Sequence, residues 1–191
     1  MTDSEPDRRG GKRERLVAAA VELLHQRGVA GTTLADVAAA ADVPAGNVYY
    51  YFKTKDQLVE AVIDAHARTT RAALDSFAAE ADPRARLHAF TRAIDAGGPV
   101  AARYGCPHGT LCCELDKRED GLDRSASRLM EIYVDWTQEQ FRQLGRADAR
   151  ALAVTFVSVY QGASLLANAF RDPAVLAAQA AWLRGWVDSL A

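Results

Sequence analysis

The sequence predicts an all-α protein of about nine helices, and three observations carry that expectation. Alanine is abundant in a chain of 191 residues of which 25% are charged. Apolar positions recur at helical rather than alternating spacing, and Asp-Gly or Asn-Gly hairpin turns are scarce. With 49% hydrophobic residues the chain can bury a core in one or two domains.

The elements follow in order. Residues 1–9 are polar and charged and read as a mobile arm. Over residues 11–27 Leu16, Ala20, Leu23 and Leu24 share one helical face, and Gly28 supplies the stop. Thr33 followed by Asp36 three positions on approximates a capping box for a short second helix ending near Ala41. Pro44 suits the first position of a third helix ending near Tyr51, so two short helices separated by a brief turn outline a helix-turn-helix. Thr54 caps a long fourth helix over 55–79, with Leu58, Val62, Ala65 and Ala72 for its buried face. Asp82-Pro83 opens a helix that ends at Gly97-Gly98, and Tyr104 to Gly109 read as a broken region. Three long helices close the chain, over 121–144, 147–170 and 173–190. The last two are apolar on more than one face and so must be covered on more than one side, which predicts a homodimer built through them.

The net charge of -2 and pI near 6.1 say little about partners, but the charge is unevenly spread. Between Arg8 and Lys55 eight bases face four acids, a local +4, and the remainder is acidic. That suits a basic module that meets phosphate joined to a body that does not; a solvated basic face is the plain alternative. No run approaches the roughly 18 consecutive apolar residues of a membrane span, and the polar start is no signal peptide, so a cytoplasmic protein without membrane contact is expected. Cys106, Cys112 and Cys113, odd in number and clustered, make no disulfide framework and are expected as free thiols.

Residues 32–58, TTLADVAAAADVPAGNVYYYFKTKDQL, closely resemble the DNA-binding signature of the TetR family of regulators. The match includes the Thr33 cap, apolar Leu34, Val37, Ala38 and Val43, Gly46, the Tyr49-x-Tyr51-Phe52 run, and Lys55 followed by an acid and, further on, Leu58. The resemblance implies a head over 10–54 that binds double-stranded operator DNA. It also implies an effector-binding and dimerisation body over 55–191, working as a repressor released from a palindromic operator by a small molecule. Leu34, Val37, Ala38, Val43, Val48 and Phe52 are packing residues in either case. Three consecutive tyrosines on a helix cannot all be buried; by resemblance Tyr49 and Tyr50 face DNA and Tyr51 the core. Thr33 and Lys55, at helix N-termini, are candidate phosphate contacts, with Lys53 beside them. Base reading falls to Pro44, Ala45, Asn47 and Tyr50, with Asn47 able to pair bidentately with adenine. The family often carries a basic residue where this chain has Ala45, which leaves affinity more dependent on the first helix, the arm, Lys53 and Lys55.

Residues 104–115, YGCPHGTLCCEL, resemble the Gly-Cys-x-x-Gly-x-Leu-x-x-Glu-Leu stretch of a subset of TetR-family effector domains. Candidate pocket residues are Phe90, Ile94, Tyr104, Cys106, His108, Cys112, Met130, Tyr133, Trp136, Phe156, Tyr160 and Asn168, most of which could equally be plain core. Cys106, His108, Cys112 and Cys113 match no zinc spacing, so neither a metal nor a cofactor is expected. A Cys106 nucleophile with His108 as base lacks an orienting acid, so no enzyme is expected. A DNA-bending protein would not need so large a helical body. The alternative kept open is a thiol sensor of oxidants or electrophiles at Cys106, near Arg103 and His108.

Overall fold

The structure is a computed structural model and describes residues 5–118 and 120–190, with side chains from Gly11 onward. The order is α1 (Glu5–Arg27), α2 (Leu34–Ala40), α3 (Ala45–Tyr51), α4 (Lys55–Ser76), a 3₁₀ turn (Phe77–Ala79), α5 (Pro83–Ala96), α6 (Gly98–Tyr104), α7 (Pro107–Leu115), α8 (Leu122–Gln143), α9 (Ala149–Phe170) and α10 (Ala174–Ser189). No strand occurs among the described residues. The protein is all-α, with an N-terminal helix-turn-helix and a helical C-terminal body.

Local chemistry sets the boundaries. Gly28 ends α1 with φ of +76°, and the Thr32 hydroxyl donates to its carbonyl at 2.9 Å. Thr33 and Asp36 close the expected capping box on α2. The Thr54 hydroxyl accepts from Gln57 N at the start of α4, and the Asp82 carboxylate accepts from Ala85 N at the start of α5. Pro44 precedes α3 as its N-cap rather than opening it, because its ψ of 132° is extended.

Two expectations are corrected. Within the region read as broken only Gly105 and Cys106 lie outside helices, because α6 runs through Tyr104 and α7 starts at Pro107; Pro99 and Pro107 sit in first turns, where the missing N–H costs nothing. Helix α1 begins at Glu5, so only residues 1–4 of the expected arm stay outside the described residues.

Two buried clusters form the core. One holds Leu16, Leu24, Val37, Val48 and Phe52 of the head together with Leu58 and Val62 of α4 and Leu111, Leu115, Leu122 and Leu129 from α7 and α8. The other lies in the body around Leu87, Phe90, Phe141, Phe156, Leu176 and Leu183. Ile132 packs against both. Helix α1 of the head therefore touches α7 directly as well as packing on α4, and α8 joins the same cluster by packing on α4 and α7. Along the outside, Arg118 pairs with Asp56 at 2.8 Å and Arg128 with Glu60 at 3.0 Å, tying the first turns of α4 to the start of α8 and the segment before it.

Candidate nucleic-acid interface and body cavity

The face formed by α3 and the start of α4 follows from which side chains the small head core consumes. Val48 and Phe52 are buried, and Tyr51 packs partly against the same core. Helical spacing then throws Tyr49 and Tyr50 outward, 56% and 65% exposed. Pro44, Ala45, Gly46 and Asn47 are exposed beside them, as is Lys53. Lys55 is half-exposed at the first turn of α4, where free amides and the dipole favour an anion. Two arginines of α1 brace this face: Arg13 lies over the Phe52 ring, 5.3 Å from its centroid, and Arg15 Nη2 donates at 3.3 Å to the carbonyl of Asp42. Asp42 takes φ of +50° in the turn between α2 and α3. Thr33 stands apart from the other candidates. Its hydroxyl accepts from Asp36 N and donates to the Asp36 carboxylate, so an acid already occupies that helix end. The Thr33 hydrogen bonds hold the Asp36 carboxyl below its ordinary range.

The body contains a partly open cavity of about 380 Å³ lined by parts of α1 and of every helix from α4 to α10. Phe90 is its aromatic hub, stacked on Tyr133 at 5.6 Å and on Phe156 at 5.4 Å, with Tyr160 edge-on at 5.9 Å. Polar groups form a short chain on one wall. Tyr133 Oη and His108 Nδ1 are hydrogen-bond partners at 2.9 Å, and the His66 ring meets the His108 ring edge-to-face at 4.8 Å. Burial, with the neighbouring histidines, pushes His108 down to about 3 and His66 down to about 4, so both are neutral at pH 7. Burial raises the Tyr133 and Tyr160 hydroxyls above their usual range. The lining includes no Asp, Glu, Lys or Arg among the described residues.

The twelve candidate pocket residues divide. Phe90, Ile94, Cys106, His108, Tyr133 and Tyr160 line this cavity. Phe156 lies fully buried behind Phe90, and Trp136 sits edge-on to Phe77 and Phe90. Tyr104 packs edge-on against His25. Cys112, Met130 and Asn168 line a second hollow of about 580 Å³, where Asn168 Nδ2 donates to the Ala102 carbonyl at 3.3 Å and so caps α6. Sequence reasoning missed His25, His66, Thr69, Thr70, Ala73, Leu74 and Phe77. The available signal was the i, i+3, i+4, i+7 recurrence of His66, Thr69, Thr70 and Ala73, a polar interruption in the buried stripe of α4.

The three thiols are free and differ in exposure, with Cys112 partly buried and Cys113 exposed. Cys106 is buried with Sγ 4.0 Å from Tyr160 Oη. Arg103 lies over the Tyr104 ring, and His108 is committed to Tyr133. Burial pushes the Cys112 thiol up to about 11, and the thiol donates to the Ala126 carbonyl at 3.3 Å. Among the described residues, no cluster of three or more His, Cys, Asp or Glu could hold a metal ion.

Comparison with known proteins agrees with this architecture. Residues 16–62 match the family described as bacterial regulatory proteins, tetR family, and residues 83–181 match the LmrA/YxaF-like transcriptional regulator C-terminal domain. The chain is 31% identical over 177 residues to the HTH-type transcriptional regulator BetI of Paraburkholderia phymatum, covering 85% of this chain and 84% of that one. It is 28% identical over 165 residues to the HTH-type transcriptional regulator LmrA of Bacillus subtilis, covering 82% and 86%. Among solved structures, the regulatory protein TetR from Rhodobacter sphaeroides superposes with a TM-score of 0.79 at 28% identity over 90% of this chain and 96% of the other. A TetR-family regulator from Streptomyces coelicolor shares the fold with a TM-score of 0.83 at 22% identity over 95% and 96%. The chain is thus a DNA-binding transcriptional regulator rather than an enzyme, and it belongs to the TetR family.

Proposed function

We propose that the protein is a cytoplasmic, homodimeric repressor that binds a palindromic operator through α3 and the start of α4 and is released by an uncharged, largely apolar effector in the 380 Å³ cavity. The observation that carries this reading is that one helix serves both sites. Helix α4 opens beside the recognition helix at Lys55 and lines the cavity from His66 to Leu74. Three turns, roughly 16 Å of stiff helix, separate DNA face from effector wall. A ligand that prefers one tilt of α4 changes the spacing of the two recognition helices in a dimer, and a coupling of about 1 to 3 kcal/mol alters operator affinity roughly 5- to 150-fold. The absence of formal charge on the lining supports an uncharged effector, since an ion there would be desolvated without a partner.

The test is selection of bound DNA from a random pool with the full-length protein, followed by a screen of neutral and charged small molecules for release of the recovered site. A palindrome is expected, and release by neutral compounds that Ser164→Phe abolishes by filling the cavity. Random recovered sequences would refute the operator reading. Release untouched by Ser164→Phe would refute the cavity as effector site. The burial of Cys106 favours this reading over a thiol sensor: Cys106→Ser should keep release by a reversible ligand.

A further inference from the structure

Three of the chain's four histidines, His25, His66 and His108, line the cavity, and they come from three different helices. His25 differs in that it belongs to the DNA-binding head, in the last turn of α1. Its Nε2 lies 3.0 Å from the carbonyl oxygen of Gly105. A carbonyl only accepts, so Nε2 carries the proton and donates. Gly105 itself lines the cavity with φ of +80°, and the segment that follows it leads within three residues to His108 and its bond to Tyr133.

A second tie lies one turn further along the chain. The amides of Val29 and Ala30 donate to Glu114 Oε2 at 2.7 and 3.4 Å. Glu114 is not part of the cavity lining. The end of α1 is thus fastened to the α6–α7 segment at two points, and only the His25 point meets whatever the cavity holds.

We propose that His25 is a positioning residue through which cavity occupancy reaches the DNA-binding head. The His25 to Gly105 bond holds α1, and with it α2 and α3, in the arrangement that fits the operator. A molecule in the cavity that hydrogen-bonds to His25 or displaces Gly105 removes this tie, and the head turns about the Glu114 attachment that remains. The release step rests on the cavity being the effector site; the holding step does not. One ordinary hydrogen bond lost in each of two subunits corresponds to about a 5- to 150-fold change in operator affinity when the bond belongs to the binding arrangement alone.

The experiment compares wild type with His25→Gln, His25→Asn and His25→Leu, all as full-length protein, on DNA recovered by selection. Gln places its amide nitrogen near the position of Nε2, whereas Asn stops short of Gly105 and Leu offers no donor. Operator affinity within about twofold of wild type is expected for His25→Gln, and a 5- to 150-fold loss for His25→Leu and His25→Asn, with dimerisation and melting temperature retained. A merely structural side chain would not be rescued by Gln and lost with Asn. Should His25→Leu fail to fold, His25→Asn carries the test. Wild-type affinity in the Asn or Leu variant overturns the proposal, as does a Gln variant as weak as Asn. The two readings separate cleanly: if no compound releases the operator the cavity reading fails while an Asn or Leu loss still stands. If compounds release it and Asn binds like wild type, the tie fails while the cavity reading stands.

Discussion

Gly28 and Glu114 show how much of the head's placement depends on single residues. Gly28 holds φ of +76°, and a Cβ built there would lie 2.8 Å from Glu114 Oε1. Gly28→Ala therefore meets backbone strain of about 1 kcal/mol and also displaces the carboxylate that accepts from Val29 and Ala30. The expected outcome is a destabilisation of about 1 to 3 kcal/mol, seen as a melting temperature lower by several degrees in calorimetry; an unchanged midpoint would contradict it. On the DNA face the reasoning runs the other way, because Tyr50 is 65% exposed and its removal costs the fold little. Tyr50→Ala and Lys55→Ala should weaken operator binding with no loss of stability. For Lys55→Ala the slope of log affinity against log salt should fall by about one unit per subunit, hence about two for a dimer on its palindrome. Gel-shift titrations between low and moderate salt check both, and an unaltered slope would remove Lys55 from the phosphate contacts.

Among elements, those whose ends are fixed by a side chain close by in the chain are legible from the amino-acid sequence alone. Thr33 with Asp36, Thr54, Asp82 and Gly28 act within a turn of themselves, and the boundaries they announce are where the helices begin or end. Helices α6 and α7 are hidden from such reading because Gly98, Pro99 and Pro107 are breakers inside a helix and starters at its first turn, and only tertiary context decides which. The aromatic wall of the cavity is legible from Phe90, Tyr133 and Tyr160. The α4 wall is not, because His66 and Thr70 look like surface residues until α7 and α8 cover them. That burial has a measurable consequence. His66 and His108 titrate near 6.5 in the unfolded chain but near 4 and 3 when folded, so the unfolded state binds more protons between these values. Their contribution to stability is full above pH 6.5 and is lost as pH falls toward 4 and 3, at about 1 kcal/mol per pH unit for the buried His108 ring and less for the partly buried His66. Melting temperature should drop from pH 7 to pH 5, and His108→Gln should flatten that drop. A variant whose pH dependence parallels wild type would show that His108 is not buried in its neutral form.

At the scale of the whole molecule the surface of α9 and α10 sets the final expectation. Helix α9 is 22 residues long and holds an 18-residue window of mean hydropathy 1.3, apolar enough by length and composition to cross a membrane, yet only a third of that window is buried within the chain. Its buried side, Ala153, Phe156, Val157, Ala163 and Ala167, belongs to the body core. Its other side exposes Val154, Leu165, Leu166 and Phe170 at helical spacing, and the neighbouring α10 exposes Trp182. The proposed homodimer predicts that a second copy pairs with these outward apolar faces about a twofold axis, as a four-helix bundle. The side chain to test is Trp182 rather than Trp186, because Trp186 is half-buried against Phe141 whereas Trp182 stacks on Trp186 and is 51% exposed. Placing a carboxylate in such a seam buries a charge without a partner. Leu165→Asp and Trp182→Asp should each shift sedimentation from dimer to monomer or aggregate. Since a palindrome is read by two heads at fixed spacing, operator binding should fall with dimerisation and recover at protein concentrations that restore the dimer. A Leu165→Asp protein that sediments as a wild-type dimer and binds operator unchanged would place the subunit interface elsewhere.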